Sequence, residues 1–216
     1  MSDDEVESGA QAAERLTFFS DAVVAIAITL LAIDLPVPEG DTFGLFWASV
    51  RHDDGHYAAF LISFAVIAAA WFDHHDLFRY IRSTDARLRL LNMVWLLSIV
   101  LNPFATKLLV VSGHSLTVHA LRFGFYALLQ VLESAMFYAM FYAMLRHMIA
   151  RGLASPPRPV VDSMTRKSSG VILGFGLSIP VFFLTSAGWA LWIAGPALAG
   201  LLRRYHRRRH RPPEAS

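Results

Sequence analysis

The sequence predicts an all-α integral membrane protein with six transmembrane helices. Of its 216 residues, 55% are hydrophobic and 17% are charged, whereas charged residues make up about a quarter of a soluble domain. Six apolar segments are long enough to cross a hydrocarbon core of about 30 Å, which takes roughly 20 helical residues. Cationic residues gather on one side of the predicted membrane. The absence of cysteine also excludes disulfides, thiolate nucleophiles and Cys-ligated metals.

The first three apolar segments are separated by clear breaks. The first covers residues 16–36 and ends at Pro36-Val37-Pro38. A loop rich in Asp, Gly and His leads to the second segment, 57–78, and the third, 88–111, stops at Ser112-Gly113. Proline and glycine at such points end an apolar helix, so we expect three separate helices.

The last three segments differ in length. Residues 116–147 form a segment longer than one bilayer thickness, which predicts a helix that tilts or extends into water. A linker rich in Pro and Arg, 154–159, precedes the fifth and sixth segments, 170–186 and 188–202. Only a short break at 185–188 divides these two, which favours a tight helical hairpin.

The distribution of Arg and Lys predicts that both termini are cytoplasmic. In that orientation the outside keeps only Arg51, Lys107 and Arg122. This is the split that the positive-inside rule favours. The cytoplasmic side receives the other cationic residues, namely Arg15, Arg79, Arg82, Arg87, Arg89, Arg146, Arg151, Arg158, Arg166, Lys167 and the C-terminal Arg run.

The two ends of the chain carry opposite charge. Residues 1–14 form an acidic tail and residues 205–216 a basic tail, on either side of a membrane domain at 15–204. A basic run can bind nucleic acid, but beside a membrane segment it more often fixes topology and contacts anionic lipid. We therefore expect membrane lipids, and not nucleic acid, as partners.

The polar residues of the apolar segments do not match a known catalytic or metal-binding pattern. His74 and His75 are adjacent, so on a helix they diverge by about 100° and cannot both face one metal. Ser20, His74 and Asp21 could be combined into a hydrolytic set, but the glycines of a nucleophile elbow do not flank Ser20. We expect no metal site, no cofactor and no enzyme activity.

The first segment carries an aliphatic stripe along one face. At about 100° per residue, Phe19, Leu30 and Ile33 fall within about 40° of Ile26, and Thr29 lies about 60° away. Such a stripe suits lipid contact or core packing as well as a pore lining, and periodicity alone does not separate these alternatives.

Ser20 and Asp21 lie about 120° and 140° from the stripe, so they face the rest of the bundle. A charge inside the bilayer costs several kcal/mol unless it is paired or hydrated, and one interpretation is that Asp21 simply pairs with Arg15 or a histidine. Asp34, near the outer end of the segment, has two readings. It could attract cations to a pore mouth, or it could be a solvated helix-end charge.

Two blocks in the first half of the chain form a recognisable pattern. The first contains Arg15-x-x-x-Phe19-Ser20-Asp21 and is followed by the apolar run 22–31. The second runs from Trp71 to Arg82, contains His74-His75-Asp76-Leu77-Phe78-Arg79, and is followed by Asn92 and Pro103. In this order and spacing they resemble the transmembrane protein 175 family, the endolysosomal potassium channels and their prokaryotic relatives. The resemblance covers about residues 15–109.

The resemblance implies a potassium-permeable cation channel in a bacterial plasma membrane, and not an enzyme. In that family the first helices of a fourfold arrangement line the pore, and an aliphatic residue five positions after the motif aspartate forms the narrowest ring. That residue is Ile26 here, with Thr29 or Leu30 and then Ile33 as further pore-facing layers. Four copies of a chain with one motif are needed to close a pore, which predicts a homotetramer.

The resemblance also implies a hydrogen-bonded network behind the pore. The family motif faces away from the pore and bonds to the second and third helices. Residue by residue, the network would then contain Arg15, Phe19, Ser20 and Asp21 of the motif, His74 or His75, and Asn92. Asn102, directly before Pro103, departs from the family pattern, because an apolar residue is expected there.

A proton-coupled or proton-conducting transporter is the alternative function. Asp21, His74, His75 and Glu133 could form a proton relay through the bundle. The sequence shows neither an inverted repeat nor a pair of helices broken by Gly or Pro, which are the features that would indicate alternating access.

Overall fold

The computed structural model is all-helical and describes residues 3–81, 84–111, 115–150, 158–184 and residue 192. Four of the described helices are long and apolar enough to cross a membrane, in agreement with a multi-pass membrane protein. In chain order the helices are α1 (Asp3–Ile33), α2 (Phe43–His52), α3 (Asp54–Phe78), α4 (Ala86–Val110), α5 (Leu116–Ala150) and α6 (Arg158–Leu184).

The four candidate membrane spans are α3, α4, α5 and the part Glu7–Ile33 of α1. They correspond to the first four predicted segments. The apolar part of α6, Gly170–Phe182, is shorter and overlaps the fifth segment. Apart from residue 192, the sixth segment, 188–202, lies outside the described residues, so a total of six spans stays a prediction.

The structure differs from the sequence prediction by one additional helix and by the starts of two others. Helix α2 occupies part of the stretch predicted as a loop, where the Thr42 side chain accepts a hydrogen bond from the Leu45 backbone N–H at 3.3 Å and caps the helix. Helix α1 begins at Asp3, so the acidic tail is largely helical. Helix α6 begins at Arg158, inside the predicted linker, and continues through Pro159, a residue that the first helical turn tolerates.

Two hydrophobic clusters hold the helices together. The larger joins α1, α3, α4, α5 and the start of α6, and Ile67, Ile99 and Met140 are completely buried in it. The smaller joins α4, α5 and α6 around the buried Tyr126, against which Trp192 stacks at 5.0 Å. Burial of these side chains leaves one long face of α1 uncovered, which is the face considered below.

The connection between α1 and α3 folds back on α2 at Gly40. This glycine has a φ of +130°, a backbone conformation that side-chain-bearing residues rarely adopt. A Cβ added at Gly40 would lie 2.6 Å from Leu45 Cβ and 2.7 Å from the Phe46 backbone nitrogen. The turn therefore requires glycine both for its φ angle and for the close approach to α2.

We expect Gly40→Ala to destabilise the protein by about 1–3 kcal/mol, the usual cost of a strained backbone position. Gly44→Ala is the matched control, because a Cβ there meets nothing within 4 Å. Thermal unfolding of both variants in detergent measures the difference. Equal unfolding midpoints would show that the turn at Gly40 does not hold α2 in place.

Candidate functional site

Helix α1 has one packed face and one open face. Val24, Ala27 and Leu31 are buried against the neighbouring helices. On the other side, Ile26 is 59% exposed and Ile33 76% exposed. The remaining members of the predicted stripe, Phe19, Thr29 and Leu30, are exposed as well.

A chain of buried hydrogen bonds fastens the packed face of α1. Ser20 is completely buried and donates to the Leu16 carbonyl oxygen at 2.8 Å. The Asn92 side chain of α4 donates its Nδ2 to Ser20 Oγ at 2.9 Å. The same amide contacts His74 Nε2 of α3 through its Oδ1 at 2.8 Å. Three helices, α1, α3 and α4, therefore meet in one polar network.

The hydrogen bonds around Asn92 assign a donor role to His74 Nε2. Since Asn92 Nδ2 donates to Ser20, Asn92 Oδ1 is an acceptor, and His74 Nε2 must carry the proton that it accepts. The imidazole is sandwiched between the rings of Phe78 and Trp95, each with its centroid 4.2 Å away. Its Nδ1 is buried without a hydrogen-bond partner among the described residues. The neutral Nε2–H tautomer fits these surroundings.

Asp21 pairs with a residue that the sequence analysis did not select. The Trp71 indole Nε1 of α3 donates to Asp21 Oδ1 at 2.8 Å, where a partner among Arg15 and the histidines was expected. His75 is exposed and packs against Trp71 with ring centroids 5.6 Å apart. Arg15 is exposed on the surface of α1. Of the two histidines, it is His74 that joins the network.

Asp34 forms an ion pair directly after the end of α1. Its Oδ1 lies 2.9 Å from Lys107 Nζ of α4, and both side chains are about half exposed. The neighbouring ammonium group offsets part of the negative charge of Asp34. The pair also ties the end of α1 to the end of α4.

A second polar cluster lies between α3, α4 and α5. Asn102 donates to Glu133 Oε2 at 3.1 Å and accepts from Gln130 Nε2 at 2.7 Å. Thr106 Oγ1 donates to Ser63 Oγ at 2.7 Å, and Ser63 in turn contacts the Tyr126 hydroxyl at 3.0 Å. All six side chains are buried: Ser63, Asn102, Thr106, Tyr126, Gln130 and Glu133. Asn102, which departs from the family pattern, is the partner that the buried Glu133 needs.

The structure also reveals residues that the sequence analysis did not single out. Trp71 could have been identified as a partner for Asp21, because its indole N–H needs an acceptor inside a membrane span and it lies three residues before His74 on the same face of the helix. Three small residues not considered above, Ala22, Ala25 and Ala32, recur with the stripe residue Thr29 at spacings of three and four, and all four are exposed. In membranes, small residues at such spacing let two helices approach closely.

Comparisons with known proteins agree with these observations. The profile of the family described as endosomal/lysosomal potassium channel TMEM175 matches residues 15–103. A protein named potassium channel from Streptomyces collinus (strain DSM 40733 / Tue 365) is 30% identical over 177 residues, which is 80% of this chain and 83% of that protein. The human endosomal/lysosomal proton channel TMEM175 is 30% identical over 109 residues, which is 50% of this chain and 22% of the human protein.

Solved structures show the same fold. The crystal structure of a lysosomal potassium-selective channel TMEM175 homolog from Chamaesiphon minutus matches with a TM-score of 0.66 and 23% sequence identity. The match covers 88% of this chain and 97% of that chain. The helical arrangement described above is therefore shared over nearly the whole of that protein.

We expect Asn92→Ala to destabilise the protein by about 1–3 kcal/mol, because the buried His74 Nε2–H loses its acceptor. Met93→Ala is the control, since Met93 is the next residue of α4 and is exposed. The unfolding midpoints of both variants are measured in detergent, as the temperature at which half of the protein is no longer monodisperse. If the unfolding midpoint of Asn92→Ala were as high as that of Met93→Ala, the network would not contribute measurably to the stability of the protein.

Proposed function

Because the chain belongs to the TMEM175 family, a family of ion channels and not of enzymes, we propose that it forms a potassium-permeable channel. Four copies surround one pore, and α1 of each copy lines it with its open face. The relatives named potassium channels support potassium as the permeant ion. The proposed location is the plasma membrane of a bacterium, with both termini in the cytoplasm.

The observation that carries this proposal is the division of α1 into two faces. The network through Ser20 fixes which side of α1 packs against α3 and α4. The opposite side, with Ile26 and Ile33, has no cover within the chain among the described residues. An uncovered aliphatic stripe on the helix that carries the family motif is the surface that a pore lining requires.

The small residues beside the stripe support assembly through α1. Ala22, Ala25, Thr29 and Ala32 form a flank on which an α1 helix of another copy can pack at short distance. A cyclic arrangement uses the same two flanks in each copy and therefore closes on itself. Four such helices leave a central space that the Ile26 side chains narrow.

The proposed constriction works through wetting and not through ion coordination. Isoleucine offers no oxygen to replace the hydration shell of an ion, so a narrow Ile26 ring blocks by dewetting. An open ring has to admit a partly hydrated ion, which predicts moderate selectivity for potassium over sodium. The Thr29 hydroxyl donates to the Ile26 carbonyl oxygen at 2.8 Å, which leaves the hydroxyl oxygen as an acceptor next to the ring.

Proton conduction is the second candidate function, because animal relatives are named proton channels. The described hydrogen bonds do not favour the side-chain relay considered above. His74 bonds to Asn92, whereas Glu133 bonds to Asn102, and amide groups do not relay protons readily. A proton path would therefore have to run through water in the proposed pore.

We expect Ile26→Asn to increase potassium flux, because a polar ring stays wet and no longer blocks. Purified protein in liposomes, read with a proton-sensitive dye and ionophore controls, measures the flux with potassium and with sodium outside. Wild-type flux should prefer potassium, and the mutant should lose part of that preference.

The control for Ile26→Asn is Leu97→Asn, which changes an exposed leucine of α4 in the same way. This variant should conduct like the wild type. Unchanged conductance and selectivity in Ile26→Asn would exclude Ile26 as the constriction. A proton flux that persists without any potassium or sodium flux would favour the proton channel instead.

We expect Ile26→Cys to form disulfide-linked dimers under mild oxidation, because the proposed ring brings the four side chains at position 26 together near the pore axis. The chain has no native cysteine, so every cross-link comes from the introduced residue. Leu97→Cys on α4 is the control and should stay monomeric on a denaturing gel. Native mass spectrometry should give four chains per particle, and a particle of one or two chains would contradict the proposed pore.

A further inference from the structure

Helix α2 exposes an aromatic patch on one of its faces. Phe43, Phe46, Trp47 and Val50 fall within about 100° of one another around the helix axis. None of the ten residues of α2, all of which are described, is buried. Phe43 is 81% exposed and Trp47 44% exposed, Phe46 is exposed as well, and Val50 is half-buried.

The rings of this patch contact one another. The centroids of Phe43 and Trp47 are 6.1 Å apart, and those of Phe46 and Trp47 are 5.9 Å apart, both in an edge-to-face arrangement. The three rings therefore form one continuous apolar surface. A contiguous exposed patch of this kind marks an interaction site more often than scattered exposed residues do.

Two contacts attach α2 to the connection, while Leu45, Ala48 and His52 opposite the patch are exposed as well. The Glu39 backbone N–H donates to Ser49 Oγ at 3.1 Å, and the turn at Gly40 packs against Leu45. The Tyr57 hydroxyl of α3 donates to the Pro36 carbonyl oxygen at 2.9 Å and so fastens the same connection to the next helix. The aromatic patch is thus held in a defined position relative to the ends of α1 and α3.

The position of α2 in the chain identifies what its patch meets. Helix α1 ends at Ile33 and α3 begins at Asp54, and both helices are candidate membrane spans. A helix between the ends of two consecutive spans lies at one face of the bilayer. Tryptophan and other aromatic side chains are enriched at that depth, where an apolar ring contacts acyl chains and a polar edge contacts headgroups.

The charges of the connection favour uncharged lipid surfaces over anionic ones. Residues 34–56 contain one arginine, Arg51, and five carboxyl groups: Asp34, Glu39, Asp41, Asp53 and Asp54. This negative balance gives no attraction to anionic headgroups. Insertion of the aromatic rings is the driving force that remains.

We propose that α2 is an interfacial helix that inserts Phe43, Phe46, Trp47 and Val50 into the boundary between lipid headgroups and acyl chains. The occupant of the patch is the bilayer itself, at the membrane face where α1 ends. The contacts of α2 with the connection then anchor the end of α1 at a fixed depth. This inference does not depend on whether the chain conducts ions.

Spin labels at single introduced cysteines test this depth, and the natural absence of cysteine makes each label unique. Phe46→Cys and Val50→Cys place labels in the patch, and Ala48→Cys and His52→Cys place matched labels on the other side of α2. The full-length protein is reconstituted in phosphatidylcholine vesicles. Power saturation then compares collisions with oxygen, which enters the bilayer, and with nickel(II) ethylenediaminediacetate, which stays in water.

Labels at 46 and 50 should collide several-fold more often with oxygen than with the nickel complex, and labels at 48 and 52 should show the reverse. The depth of both patch labels should not change when phosphatidylglycerol is added. Equal nickel accessibility on both sides would place α2 in water and overturn the proposal. If the patch labels are immobile and shielded from both reagents, the patch is covered by a second copy of the chain and not by the bilayer, which would also overturn the proposal.

Discussion

A bilayer offers no water to a buried polar group, so the polar side chains of α1 need partners within the protein. Ser20 finds them through Asn92 and His74, and leaving any one of these groups unpaired would cost about 1–3 kcal/mol. This requirement fixes the rotation of α1 about its own axis. Turning the helix by one residue would break the network, so the outward direction of Ile26 follows from hydrogen bonds on the opposite face.

Helix α4 connects this network to the second polar cluster. Its buried residues Asn92, Ser98, Asn102 and Thr106 lie along one side of the helix, between apolar residues such as Ile99. Asn92 binds α1 and α3, and Asn102 and Thr106 bind α5 and α3. Because each polar contact admits few geometries, two clusters on one helix define the register of the whole bundle more sharply than apolar packing alone.

Much of this arrangement could be predicted from the sequence. The four long spans follow from hydropathy, and the two faces of α1 follow from helical periodicity, because both properties are local. The choice of His74 over His75, and of Trp71 as the partner of Asp21, depends on how α3 is rotated against α1, which no single segment specifies. Helix α2 was not predicted, because its ten residues are too few for a clear periodic signal. The polar Asn102 could not be explained from its own segment, because its partner Glu133 lies on another helix. The assignment of the pore residues rests on family resemblance and on the open face together, and it stays a prediction.

Helix α1 is 31 residues long, about 46 Å at 1.5 Å per residue, whereas the hydrocarbon core measures about 30 Å. Its first turns therefore continue beyond the membrane, and the exposed side chains of Glu7 and Glu14 lie on this stretch. In a fourfold assembly these stretches would form an acidic vestibule in line with the pore. If the proposed assembly forms, the negative surface potential of such a vestibule would concentrate cations within about one Debye length of the entrance, which is about 10 Å at 0.1 M salt and longer in dilute solution. The cation concentration at the entrance would then fall less steeply than the bulk salt concentration when the salt concentration is low.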